Sequence, residues 1–253
     1  MPPESEVHPS VLGGFGRMAE AYERGRPTYP AAAIEWIVER LGVRPGATVV
    51  DLAAGTGKLT RLLVPTGARV VAVEPVEGMR KQLARTVPNV EVFAGAAERM
   101  PLPDRSADAV TVAQAFHWFA NDRALAEIAR VLRPGGHLGL IWNTRDERDA
   151  VQQELTSIIE PLRGTEHTHV GHGWRRVVEA NPFFGPLEEA TFSHEQRVDA
   201  GMLADRVGSI SFIAVLPDGE REQVLDRVRA LVGDREVTLQ YVTQVYAAPS
   251  VAG

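Results

Sequence analysis

Apolar positions along the chain follow two alternating rhythms. In residues 31–41, Ala33, Ile34, Trp36, Ile37, Val38 and Leu41 form a stripe at helical spacing, opened by Pro30 and ended by Gly42. From residue 47 the period changes. Residues 47–53 form a short, β-branched, nearly continuous apolar run, the pattern of a strand buried on both faces. Similar runs recur at 68–74, 90–94, 107–113 and 136–142, with helical patterns over 56–63, 76–86 and 122–132 between them. Arg133-Pro-Gly-Gly136 reads as the stop of the last of these helices. Such regular alternation predicts an α/β fold: a mostly parallel, doubly covered sheet.

After Asn143 the rhythm breaks. Helices are predicted over 147–162, 174–180, 200–213 and 219–232, and strands over 187–198 and 236–246. Residues 164–173 are irregular and rich in histidine. No internal repeat or low-complexity linker divides the chain. It therefore reads as one sheet with a helical insertion over its carboxyl edge and with final strands that complete the same sheet.

Composition narrows the function classes. The chain has 253 residues, 44% of them apolar and 24% charged, which suits a soluble globular protein rather than a disordered or fibrous one. Lys and Arg number 27 against 33 Asp and Glu, so the net charge of −6 argues against a dedicated nucleic-acid binder. Cysteine is absent, which removes disulfides, thiolate chemistry and Cys-ligated metal sites. No stretch of 18 apolar residues predicts a membrane span, and the first ten residues lack a signal-peptide pattern. A cytoplasmic protein without a membrane partner is expected.

Chemistry is concentrated at strand ends. Asp51-Leu-Ala-Ala-Gly-Thr-Gly57 occupies the first strand-to-helix turn, where open parallel sheets bind ligands. Gly55 and Gly57 allow close approach of the backbone, and the next helix start offers N–H groups to an anion. Glu74 ends the second strand, 23 residues after Asp51, where a carboxylate can accept both hydroxyls of a ribose. A dinucleotide fingerprint needs a third glycine, but Thr60 stands there, and no phosphate-binding G-x-x-x-x-G-K-[ST] loop exists. A single-nucleoside ligand without a pyrophosphate fits better.

Other candidates surround this turn. Tyr22, Arg26 and Tyr29 read as a lid, with Arg26 suited to a bidentate hold on a carboxylate, although decoration of a helix cap is a competing reading. His117 and Trp118 follow the fourth strand. His117 is a candidate general base or a structural imidazole bonded to a loop carbonyl, and a carboxylate acceptor would need no base. Glu166-His-Thr-His-Val-Gly-His172 reads as a polar loop, with lining of a substrate pocket as the competing reading, rather than a metal site, and no metal is expected. Trp142, Asn143 and Arg145 are plausible pocket residues, with Arg206, Ser209 and Ser211 as weaker ones.

The sequence resembles the class I S-adenosylmethionine-dependent methyltransferases. Four pieces carry the likeness: Val49-Val-Asp-Leu-Ala-Ala-Gly-Thr-Gly-Lys-Leu-Thr60, Val71-Ala-Val-Glu-Pro75 with Met79, Gly95-Ala-Ala-Glu-Arg-Met-Pro-Leu-Pro103 and Glu127-Ile-Ala-Arg-Val-Leu-Arg-Pro-Gly-Gly136. Tyr22-Glu-Arg-Gly-Arg-Pro-Thr-Tyr-Pro30 and Ala113-Gln-Ala-Phe-His-Trp-Phe119 resemble its small-molecule, trans-aconitate-methyltransferase-like branch.

The resemblance implies a Rossmann-like sheet of seven strands in the order 3-2-1-4-5-7-6, the last one antiparallel. It implies a tail and lid over 1–30, a cofactor-binding core over 31–145, and the insertion with final strands over 146–253. S-adenosylmethionine would be the cofactor and a small organic molecule the methyl acceptor, most simply through oxygen. Asp51, Ala53, Gly55, Thr56 and Gly57 would pack against the amino-acid end of the cofactor, and Tyr22 and Arg26 would close over it. Glu74 would hold the ribose. Pro75 and Met79 would flank the adenine, Ala96 and Ala97 would sit beside its ring, and Gln114 would lie by the methionine portion. Two departures stand out: Ala53 replaces a glycine of many relatives, and Ala96 replaces an aspartate that accepts from the adenine amino group. The rival readings are a catalytically silent binder of the cofactor, a nicotinamide-dependent oxidoreductase and a nucleic-acid methyltransferase.

Overall fold

The structure, a computed structural model, describes residues 18–164 and 173–251. Seven strands form one sheet in the order β3-β2-β1-β4-β5-β7-β6. The strands are β1 (Thr48–Leu52), β2 (Arg69–Val73), β3 (Glu91–Phe93), β4 (Ala107–Ala113), β5 (Leu132–Arg145), β6 (Glu188–Val198) and β7 (Val237–Pro249). The first five pair in parallel, whereas β7 runs antiparallel to both of its neighbours. The expected order and the reversed last strand are therefore both present.

The central strands behave as their apolar runs predict. Val49 and Val50 point to opposite faces of β1, and both are buried. On one face, Val50, Val110, Leu138 and Leu140 pack under α5 (Asp122–Val131) and α7 (Gly173–Glu179). On the other, Val49, Val70, Ala109 and Ile141 pack under α2 (Ala31–Arg40) and α3 (Thr60–Leu63). The helix α4 (Glu77–Thr86) lies beside β2 and β3. Asn121 caps α5 by accepting the N–H of Ala124 at 2.9 Å.

Three elements differ from the sequence reading. The predicted helix over 56–63 shrinks to α3, because residues 54–59 form the tight turn. Arg133–Gly136 does not separate helix from strand. Leu132 already pairs with Ala107, and the register then jumps to Ala109 with His137, so residues 133–136 bulge within a longer β5. The predicted helix over 200–213 is two helices, α8 (Ala200–Gly208) and α9 (Ser211–Ala214). They part at Ser209, whose hydroxyl oxygen and carbonyl both accept from Arg26.

The segment before α2 contains a helix, α1 (Ala19–Gly25). It lies on α8 so closely that a Cβ on Gly25 would overlap the backbone of Arg206. The helices α6 (Ala150–Ile159), α8, α9 and α10 (Asp218–Val232) enclose a separate core of Leu155, Ile159, Leu203, Val207, Val228 and Val232, joined to the sheet through Leu239 and Tyr241 of β7. Among the described residues, no helix is long and apolar enough to cross a membrane.

Candidate active site

A cleft with about 770 Å³ of empty space opens at the carboxyl ends of β1, β2 and β4. Tyr22, Ala53, Gly55, Glu74, Pro75, Met79, Ala96, Ala97, Gln114 and Trp118 line it, ten of the predicted site residues. The cleft thus forms where parallel strands on either side of β1 diverge, the switch point of the sheet order.

Two backbone conformations shape this wall. Ala53 follows β1 with φ 55° and Gln114 follows β4 with φ 58°, both in the left-handed region that non-glycine residues adopt at a cost of ~1–2 kcal/mol. Glycine, which the family resemblance implies as the usual residue at position 53, would adopt this φ without that cost. Sharp turns at both strand ends pull the backbone aside and leave the cleft between them.

Glu74 links the second strand to the glycine turn. Its Oε2 accepts the N–H of Gly55 at 2.9 Å and its Oε1 accepts the N–H of Val76 at 2.8 Å. The residue is only 4% exposed. Burial pushes its carboxyl up to about 7, against the lowering effect of those two N–H groups. The two bonds use half of the lone pairs of the carboxylate; the others remain for a ligand on the cleft side.

The two glycines of the turn do different work. A Cβ on Gly55 would project into open space, whereas one on Gly57 would press against Leu83 at 3.0 Å and Val87 at 3.1 Å of the α4 region. Gly57 therefore serves packing and does not line the cleft. Asp51 and Thr56 also lie beneath the turn rather than on its wall. Asp51 is fully buried, and its Oδ2 accepts from the Thr60 hydroxyl at 2.6 Å. Burial raises its carboxyl to about 7, and Glu74 adds to the rise. Thr56 donates its hydroxyl to Glu23 of α1 at 2.6 Å, which ties the turn to the lid.

His117 and Arg26 stand off the cleft wall. His117 Nδ1 accepts the indole N–H of Trp142 at 3.4 Å. An indole nitrogen only donates, so the Nδ1 lone pair is occupied and the neutral ring carries its proton on Nε2. Trp142 itself is fully buried against Trp174 and is core rather than pocket. Arg26 lines a second, smaller chamber, of about 310 Å³ of empty space, with Tyr22, Tyr29, Lys58, Gln114, Asn143, Arg206 and Tyr241. Tyr22 and Gln114 belong to both spaces and form the partition. Arg145 pairs with Glu160 at 2.9 Å instead of entering either space. The histidine-rich loop 166–172 lies outside the described residues.

Sequence reasoning missed several wall residues. Leu52, Val76, Ala113, Ala115 and Phe119 complete the apolar lining. Glu98 also lines the cleft, next to Ala96 and Ala97, and accepts from Asn121 Nδ2 at 3.0 Å. Its position two residues after Ala96 in the third motif was the available signal.

Comparisons with known proteins agree with this architecture. The methyltransferase domain family matches residues 50–140. An uncharacterized methyltransferase of Mycobacterium tuberculosis is 42% identical over 240 residues, spanning 90% of this chain and 92% of its own. A malonyl-[acyl-carrier protein] O-methyltransferase of Methylococcus capsulatus is 34% identical over 213 residues, 80% of this chain and 72% of its own. Among solved structures, one assigned as a type II methyltransferase of Anaeromyxobacter dehalogenans superposes with a TM-score of 0.66 at 29% identity, covering 88% of this chain and 97% of its own. The chain belongs to the class I S-adenosylmethionine-dependent methyltransferases, and its cofactor is S-adenosylmethionine.

Proposed function

We propose that this methyltransferase transfers its methyl group to an oxygen of a small organic acceptor, a carboxylate in the first instance. The observation that carries this reading is the bond from Trp142 to His117. With its Nδ1 lone pair taken and its proton on Nε2, His117 is a poor general base. An acceptor ionised at neutral pH needs none, and carboxylates are the common acceptors of that kind. The name of the Methylococcus relative, an O-methyltransferase acting on a malonyl group, favours oxygen as well.

The cleft fits an adenosyl group. Open space beside Gly55 leaves room for close approach to the backbone, and the Glu74 carboxylate offers its remaining lone pairs to two hydroxyl donors. Pro75 and Met79 bring apolar surface to one side of the cleft, and Ala96 and Ala97 to its wall. In this reading Glu98 stands in for the missing aspartate at 96 as the acceptor for the adenine amino group. Gln114 lies beside the methionine portion. Tyr22 and Trp118 line the same cleft, and their aromatic rings would offer cation–π attraction to a bound sulfonium.

When bound, S-adenosylmethionine would supply a methyl sulfonium, from which an acceptor oxygen could take the methyl group while the S–C electron pair stays on sulfur. The chain contributes alignment and exclusion of water, the main terms when no proton moves. Trp118 and Phe119 contribute apolar lining to the cleft, and α1 supplies Tyr22 to it. Arg26 acts from the adjoining chamber.

The test is labelled methyl transfer to a panel of small carboxylic acids, alcohols and amines. Base-labile methyl esters support the reading. Label fixed only in alkali-stable methylamines contradicts it.

A further inference from the structure

The chamber behind Tyr22 and Gln114 holds a cation, Arg206, that has no counter-ion among the described residues. Arg206 is 5% exposed, and its Nε and Nη1 have no hydrogen-bond partner among the described residues. Its guanidinium lies over the Tyr241 ring, 5.3 Å from the centroid. Its charged neighbours make matters worse. Arg26 and Arg145 both feel its repulsion, which helps to lower them below the ordinary arginine range; burial is the larger cause in each, and Arg145 falls to about 10.

Nearby acids and bases are already engaged. Glu160 pairs with Arg145 and Arg163, and Asp205 with Arg24. Glu23 holds Arg61 at 2.6 Å and Lys58 at 3.8 Å. Arg26 donates to the hydroxyl and carbonyl oxygens of Ser209 at 3.0 and 3.1 Å. Arg206 lines this chamber and is thus a desolvated guanidinium with two donors unpaired among the described residues, an arrangement that is costly until an anion pairs with it.

We propose that this chamber binds a carboxylate group of the methyl acceptor, received by the Arg206 guanidinium with Arg26 and Lys58 setting the potential. The inference rests on the cofactor occupying the larger cleft. The chamber is less than half the size of that cleft, so it suits a headgroup rather than a whole acceptor, whose body would pass the Tyr22–Gln114 partition toward the reacting carbon. Specificity for acidic acceptors follows, because an uncharged group leaves the guanidinium unpaired.

The same carboxylate chemistry exists on the amino-acid end of the cofactor, and calorimetry separates the two sources. Wild type, Arg206→Met and Arg206→Lys are titrated with S-adenosylhomocysteine, with 5′-methylthioadenosine, which lacks the amino acid, and then with succinate and succinamide in the presence of S-adenosylhomocysteine. The expected result is succinate binding to the wild-type complex, at least tenfold weaker in Arg206→Met and intermediate in Arg206→Lys. Succinamide should not bind, and the affinity for S-adenosylhomocysteine should change less than threefold in either variant. A tenfold loss of S-adenosylhomocysteine binding in Arg206→Met, with 5′-methylthioadenosine unaffected, would assign the chamber to the cofactor and overturn the proposal. So would normal S-adenosylhomocysteine binding with no succinate binding to the wild type. Failure of the wild type to bind S-adenosylhomocysteine at all would instead strike the cleft assignment. Arg206→Lys keeps the charge and the experiment interpretable should Arg206→Met fold poorly.

Discussion

The carboxylate of Glu74 reaches from the end of β2 to the N–H of Gly55 after β1, 2.9 Å away. One side chain thereby fixes the glycine turn and remains available to a ligand. In the proposed site, loop geometry and ligand affinity are coupled through this one buried carboxyl.

Gly55 and Gly57 should respond differently to alanine. Gly55→Ala costs about 1 kcal/mol of stability for its positive φ, and its methyl group enters the cleft, so cofactor affinity falls by more than stability. Gly57→Ala adds a clash with Leu83 and Val87 to the same backbone strain. Its loss should be ~2 kcal/mol or more. Urea unfolding and calorimetry of the two variants check the contrast; equal stability losses would contradict it.

Acidity at the site predicts a pH dependence of stability and binding. Asp51 and Glu74 sit near 7 in the folded protein, raised by burial from ordinary carboxyl values. Between about 4.5 and 7 the folded state therefore holds more protons than the unfolded one, and these groups make stability fall as pH rises through that window. In the proposed site, ribose hydroxyls would donate to the ionised Glu74 carboxylate. Cofactor affinity should consequently weaken below about pH 7, and binding at neutral pH should release protons. Melting temperature against pH, and calorimetry in buffers of different ionisation enthalpy, measure the two effects. Proton uptake on binding would contradict this account of Glu74.

His117→Gln should leave turnover within about tenfold of wild type, since the lone pair facing Trp142 is structural and loss of a working general base costs ~10²–10⁴-fold. The measurement is kcat at saturating cofactor across pH 5.5–8.5. A drop of three decades, or a wild-type profile rising through an imidazole pKa that disappears in the variant, would restore the catalytic role.

Much of this was legible in the chain. The runs around Val49, Val71 and Val110 announce buried parallel strands, because both faces of each strand meet helices and apolar residues need not alternate. Glu74 and the glycine turn were readable because strand ends in such sheets converge on one edge. Chain-distant relationships were not. Ser209 breaks a continuous helical pattern because Arg26, 183 residues away, takes its carbonyl. Gly57 resembles Gly55 in sequence, and only the packing of Leu83 and Val87 separates their roles. The setting of Arg206 depends on six segments meeting, which no local pattern encodes.

In the proposed function, Glu74 holds the ribose of S-adenosylmethionine in the larger cleft. The most direct test is calorimetric titration of S-adenosylhomocysteine into wild type and Glu74→Gln, with NADH as the control ligand and circular dichroism to verify folding. The account predicts no NADH binding, and a loss of ~1.5–3 kcal/mol in the variant, as for a charge-assisted hydrogen bond. Unchanged affinity in a folded Glu74→Gln protein would place the ribose elsewhere and contradict the account.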